Sequence, residues 1–234
     1  MGSAQSAGVS QIAEFRDLSD FRNAVLPRKS LKTTVRAENE AAILAAAEAV
    51  FAEFGFKGAS TSEIARRANV PKPNLHYYFP TKEALYRVVL QRVLTVWLDA
   101  GASMDENAEP EAALRRYIGM KMDLSRSMTL GSQIWASEIM RGAPIIKDFL
   151  ETTLKDWVAG HEIIVQRWHD EGKIHPVSAK ALFFMIWATT QHYADFATQI
   201  ACLNAGQPLS DAQFNTARAQ VTEMIVRGVV RAAG

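Results

Sequence analysis

From residue 39 onward, apolar residues recur at helical spacing along almost the whole chain. Ile43, Ala47, Val50, Phe51 and Phe54 fall three and four apart, which puts them on one helix face, and Gly55 closes that run. Ile64, Ala65 and Ala68 make a second, shorter face of small residues. A longer helix is expected over residues 81–100, with Leu90, Leu94 and Trp97 on one side. Further helices fit residues 110–127, 130–141, 145–171, 178–205 and 210–232. The breaks fall at Gly101, Gly131, Gly142 to Pro144, Gly172, Pro176 and Gly206 to Pro208. No strand-like alternation competes and no internal repeat is visible. The expected fold class is all-α: an N-terminal three-helix head carrying a helix-turn-helix, followed by a C-terminal helical bundle.

Within the head, TSEIARRANVPKPNLHYYFPTKEAL (residues 61–85) describes two short helices around a tight turn, running into the long helix. Ser60 and Glu63 have capping-box spacing. Asn69 stands where the chain must turn sharply and tolerates a left-handed backbone better than most residues. Val70 is the expected buried residue of the turn, and Pro71 opens the next helix, where a missing N–H costs nothing. That helix, 72–78, is oddly furnished for a core element. Lys72, Asn74, His76 and Tyr77 are hard to bury together, and Asn and Lys suit base edges or phosphates. Thr81 can cap the long helix, while Lys82 in its first turn opposes the helix dipole. A phosphate nearby would make that cation favourable. A plainer reading makes Tyr77, Tyr78 and Phe79 core aromatics and Lys72 and Lys82 solvated surface. Phe79 is assigned to the core, and both readings stay open for Tyr78.

Composition narrows the setting. The chain has 234 residues, 48% of them hydrophobic, enough for a substantial core in one or two domains. A single cysteine, Cys202, excludes an intrachain disulfide framework and a cysteine-based metal site. No apolar run approaches membrane-spanning length and the N-terminus lacks a signal-peptide core, so no membrane partner is expected and a reducing cytoplasm is the expected setting. Net charge is only +1. Residues 1–90 hold 12 Lys and Arg against 9 Asp and Glu, whereas residues 91–234 hold 14 against 16. The asymmetry has the sign expected of a DNA-facing head, with few and local phosphate contacts.

Residues 1–35 form an extension. Ile12, Phe15, Leu18 and Phe21 permit one short amphipathic helix, ended by Pro27 and followed by Arg28, Lys29, Lys32 and Arg36. A basic arm along DNA and a mobile tail both fit, with composition favouring the tail.

The stretch ALFFMIWATTQHYADFATQI (residues 181–200) begins apolar all round, as in a buried helix, then brings Thr189, Thr190, Gln191, His192, Tyr193 and Asp195 in succession. Burying several polar groups needs a reason, since each costs about 1–3 kcal/mol without a partner. Trp187 and Gln191 lie four apart on one face. An indole wall beside a primary amide suits a small planar molecule with adjacent C=O and N–H groups. Core packing of Trp187 with an interhelical bond from Gln191 fits the spacing equally well.

Phe54-Gly55-Phe56, TSEIA and NLHYYFPTKEALY together resemble the DNA-binding domain of TetR-family repressors, over residues 39–87. The resemblance implies that Thr61 and Ser62 touch backbone or base, that Lys72, Asn74, His76 and Tyr77 face the groove, and that Tyr78 and Lys82 contact phosphate. It divides the chain into the extension (1–35), a helix-turn-helix domain (36–85) and a ligand-binding and dimerisation domain (86–234). Double-stranded DNA with a palindromic operator, a small-molecule effector and a second copy of the chain are the implied partners. The body is similar to pyrimidine-responsive members of the family at VWLDA around Trp97, YIGMKMDLSRS from Tyr117, EIMRGAPI from Glu138 and FMIWATTQHYADFATQ. That similarity implies uracil or thymine as effector, held by Trp97, Trp187 and Gln191, and no cofactor. The chain departs from the pattern at Met128-Thr129-Leu130-Gly131 and Gln133-Ile134-Trp135, where a pocket wall could differ, and in its longer extension. An effector that is a different planar nitrogen-rich or apolar metabolite is the alternative.

The last two long helices are the expected dimer interface, with Met224, Ile225, Val229 and Val230 as apolar surface; capping of its own subunit is the other use of the final helix. An enzyme reading has little to stand on. His192 and Asp195 could form an acid–base pair but lack a nucleophile, and His161 and His169 are eight apart, too far along one helix to share a metal.

Overall fold

The computed structural model describes residues 31–105 and 107–231. The helix expected around Ile12 to Phe21, and the basic residues Arg28 and Lys29, lie outside them. By its contacts the chain divides into two units, Met1–Ala42 and Ile43–Gly234. The described part of the first is the opening of helix α1 (Leu31–Gly58). Both candidate sites lie in the second.

Gly55, at φ 65° and ψ 172°, interrupts α1 where the sequence closes the apolar stripe; such a backbone suits a residue without Cβ. Helix α2 (Thr61–Arg67) starts on Ser60, whose hydroxyl accepts from the Glu63 N–H at 3.1 Å. Only half of the expected capping box forms. The Glu63 carboxylate turns to Arg66 (2.7 and 2.8 Å) and Arg67 (2.7 Å), because cations attract it more than a neutral amide does. Asn69 takes the left-handed turn at φ 53°. Val70 is half-buried against the core of the head rather than fully buried. Helix α3 (Lys72–Tyr78) follows, anchored by the buried Leu75 and Phe79. Thr81 then caps α4 (Lys82–Asp99), accepting from the Ala84 N–H at 3.0 Å.

A 3-10 turn (Ala100–Ser103) leads to α5 (Pro110–Ser127) and α6 (Thr129–Met140). The next helical run opens at Lys147–Phe149, passes through a π-turn (Leu150–Leu154) and continues as α7 (Lys155–Asp170). Helices α8 (Ala179–Asp195), α9 (Ala197–Leu203) and α10 (Asp211–Val229) complete the bundle. Two apolar clusters organise this unit. One joins the head to α4 and α6 around Phe51, Leu85, Leu90 and Trp135; the other joins α5, α7, α8 and α10 around Leu114, Ile118, Trp168, Phe183 and Ile186.

Three further expectations need correcting. Gly131 lies inside α6 and does not break the chain; the break is at Met128 (φ −123°, ψ 37°). A Cβ on Gly131 would sit 2.8 Å from Val93 Cγ2 and 3.1 Å from Glu48 Oε1, so the glycine serves close helix packing. The helix expected over 178–205 is two helices, parted at Phe196 (φ −113°, ψ 29°). The last helix stops at Val229 because the chain turns extended there: Val230 bridges antiparallel to Ile174, and the His175 N–H donates to the Val229 carbonyl at 2.8 Å. Ile225 and Val229 therefore pack into their own subunit, while Met224 is 67% exposed.

Candidate DNA-reading edge and effector cavity

Burying Leu75 and Phe79 orients α3 so that Lys72, Asn74, His76 and Tyr77 are exposed, Tyr77 by 71%. Ser62 is exposed beside them, and Thr61 and Tyr78 are half-buried. Tyr78 packs edge-on to Tyr77 at 5.5 Å between ring centroids and also touches the apolar core of the head. A donor, an amide and an aromatic on one short helix edge suit a DNA groove.

Lys82 has a different answer to its dipole problem from the one its sequence position suggests. Its ammonium donates to the carbonyls of Phe56 (2.7 Å) and Ala59 (2.9 Å) and lies 4.7 Å from the Phe56 ring centroid. The carbonyls at the end of α1 give this cation the negative partner that phosphate was expected to provide. The same contact fixes the start of α4 to the end of α1.

At the other end of α4 lies a cavity of about 50 Å³ lined by Trp97, Tyr117, Lys121, Trp135, Leu154, Trp187 and Gln191, with Leu94 and Leu98. It is several times the ~10–15 Å³ that one water requires. The residues picked from the sequence, Trp97, Trp187 and Gln191, are brought together here. Trp97 and Trp135 meet edge-to-face at 5.5 Å, so the sequence departure at Gln133-Ile134-Trp135 does supply a wall. The Trp187 indole N–H donates to the Tyr117 hydroxyl at 2.7 Å.

Lys121, which sequence reasoning missed, is 2% exposed. Its ammonium sits 4.0 Å from the Trp97 ring centroid. Burial pushes it down to about 7, with the negative charge of Asp195 opposing that fall. A signal existed: Lys121 interrupts the buried α5 stripe of Leu114, Tyr117, Ile118 and Met122, and a lysine on such a stripe asks for a partner. Asp195 accepts from the Ser132 hydroxyl at 2.6 Å, and burial raises its carboxyl above the usual range. His192 instead stacks on Phe196 at 4.8 Å. His161 stacks on Trp157 at 3.8 Å, and its Nδ1 lies 2.8 Å from the Trp157 carbonyl. Among the described residues no cluster of metal-ligating side chains occurs, and no helix is long and apolar enough to cross a membrane.

Residues 43–89 match the family model for bacterial regulatory proteins of the tetR family, and residues 90–232 match that for the C-terminal region of YcdC-like proteins. The chain belongs to the TetR family. This TetR-family regulator is 39% identical over 188 residues to the HTH-type transcriptional regulator RutR of Escherichia coli K12, covering 80% of this chain and 89% of RutR. The EthR regulator of Mycolicibacterium smegmatis is 27% identical over 175 residues, 73% of this chain and 77% of EthR. In fold it is similar to a Streptomyces coelicolor transcriptional regulator, SCO4942, with a TM-score of 0.65 at 23% identity, covering 82% of this chain and 98% of that one. It is also similar to AibR, solved with isovaleryl coenzyme A and operator DNA, with a TM-score of 0.62 at 18% identity over 80% and 97% of the two chains. Proteins of this family are transcriptional regulators and not enzymes; they bind operator DNA and small-molecule effectors and act as dimers.

Proposed function

We propose that this protein is a dimeric repressor that leaves a palindromic operator when a small pyrimidine, uracil or thymine, enters the cavity lined by Trp97, Trp187 and Gln191. The observation that carries the reading is the path of α4. One end of this unbroken helix follows the reading helix at Thr81; the other presents Trp97 to the cavity. Sixteen residues separate them, about 24 Å at 1.5 Å per residue. Indole walls take the faces of a planar ring, and the Gln191 amide matches adjacent C=O and N–H groups on its edge. The 39% identity to RutR over 80% of this chain supports the class of effectors that the sequence resemblance implies.

A guest that tilts α4 alters the separation of two α3 helices in the dimer, which half-sites one turn apart set at roughly 34–36 Å. Release requires that the guest bind the DNA-incompetent arrangement more tightly; equal affinity for both shifts nothing. Exposed Phe184 and Met185 on α8, Phe196 between α8 and α9, Leu203 on α9 and Met224 on α10 supply apolar area for the second copy. On the head, Thr61 and Ser62 are the proposed contacts to backbone or base, Tyr78 and Lys82 those to phosphate, and Lys72, Asn74, His76 and Tyr77 face the groove.

The test is titration calorimetry with uracil and thymine, paired with selection of bound fragments from random DNA with and without either ring. Heat of binding and release of the selected DNA are expected. Heat and release with another planar metabolite, and neither with the two pyrimidines, would favour the second reading. The Trp135 wall is the feature that supports it.

A further inference from the structure

We infer that Lys121 sets which planar guest the cavity accepts, selecting a ring with carbonyl oxygens flanking an acidic N–H over an apolar ring of equal size. The inference rests on the cavity being the effector site and specifies the chemistry of what it takes.

The cavity's polar groups are the indole N–H groups, the Tyr117 hydroxyl, Gln191 and Lys121. The Trp187 N–H already donates to Tyr117. Gln191 makes no side-chain hydrogen bond to any described residue and brings one donor pair and one acceptor. Lys121 brings donors only. Its ammonium is held by the face of Trp97 and forms no ion pair among the described residues. Asp195, the carboxylate whose charge reaches it, already accepts from Ser132. A buried cation with so little opposing charge is costly, and the cost is relieved by any guest that turns an electron-rich edge toward it.

An apolar ring fills the same space and leaves the cation unsatisfied. A ring bearing an N–H between two carbonyls satisfies both groups at once: Gln191 pairs with one adjacent C=O and N–H, and Lys121 takes a carbonyl oxygen at another edge. Where the pH approaches the pKa of that N–H, a more acidic ring is ionised to a larger extent, and its anionic oxygens accept more strongly from a desolvated ammonium. Charge-assisted hydrogen bonds are about twice as strong as neutral ones, so this contact dominates the choice of guest.

Calorimetry on the full chain with uracil and with 5-fluorouracil, nearly equal in size but more acidic at the ring N–H, reads this directly. Wild type is expected to bind 5-fluorouracil several-fold more tightly. Lys121→Met, which keeps the length of the side chain without its charge, should lose about ten- to a hundredfold in uracil affinity, the worth of one hydrogen bond to a charged group, and should lose the preference. Lys121→Gln serves the same comparison if the methionine variant does not fold, and Lys121→Arg should retain the preference. Equal affinities and an equal preference in wild type and the neutral variants would overturn the inference while leaving the pyrimidine reading intact. Absence of binding by wild type to either ring would overturn both.

Discussion

Lys82 and Lys121 are the same side chain put to opposite uses. Lys82 reaches the last carbonyls of α1 and so joins the end of that helix to the start of α4. Lys82→Met should cost about 1–3 kcal/mol in urea unfolding, the worth of hydrogen bonds to a charged group. If the ammonium also approaches phosphate, the variant binds all DNA sequences more weakly alike and lowers the salt slope by about one. Asn74 is exposed on α3 and carries no such structural duty. Asn74→Ala should leave stability within about 0.5 kcal/mol and relax discrimination at one or two base pairs, read by binding to operator variants. In the cavity, Trp187→Ala should abolish measurable heat with uracil while operator binding without ligand stays near wild type. Loss of operator affinity in that variant would place Trp187 in the coupling rather than in recognition of the guest.

Among the elements, α4 matters most because it is held along its length. Thr81 caps its start, Arg87 bonds the Ile145 carbonyl at 2.6 Å and pairs with Asp148, and Trp157 donates to the Leu98 carbonyl at 3.2 Å near its end. Gly101 closes the far end. A Cβ there would lie 2.2 Å from Trp157 Cζ2, so the indole must shift and its bond to Leu98 loosens. Gly101→Ala should destabilise by about 1–3 kcal/mol by overpacking and weaken the ligand's effect on DNA, measured by thermal melts and by operator release at saturating uracil. Unchanged release would mean that the end of α4 does not carry the signal. The π-turn at Leu150–Leu154 brings Leu154 to the cavity wall. Its position was invisible in a sequence that reads as one helix from 145 to 171, because no Gly or Pro marks the widened turn.

At the scale of the whole molecule, the buried cation should make folding stability depend on pH. Lys121 holds its proton less tightly when folded, near 7, than in an unfolded chain at its ordinary 10.5. Between those values the unfolded state binds more protons, so stability rises with pH, by up to about 1.4 kcal/mol per unit from this group. Below pH 7 both states are protonated and this contribution is level. Urea unfolding from pH 7 to 9 should show the rise in wild type and a flatter profile in Lys121→Met. An identical profile in both would mean that the ammonium is better solvated than its burial implies.

The helical period, the caps on Ser60 and Thr81, the left-handed Asn69 and the exposed edge of α3 were all legible in the sequence, because each depends on residues within a few positions of one another. So was the family, through motifs carried by contiguous segments. Trp187 and Gln191 could be placed on one face by their spacing, but the sequence left open whether that face met a cavity or a neighbouring helix. That question depends on chain separated by dozens of residues. Lys121 on α5, Trp135 on α6 and Trp97 on α4 meet only when two apolar clusters close against each other, and the void between them is a property of their packing. For the same reason only the tertiary structure decided that Gly131 packs helices rather than breaking one, that Lys82 finds carbonyls, and that Val229 faces inward.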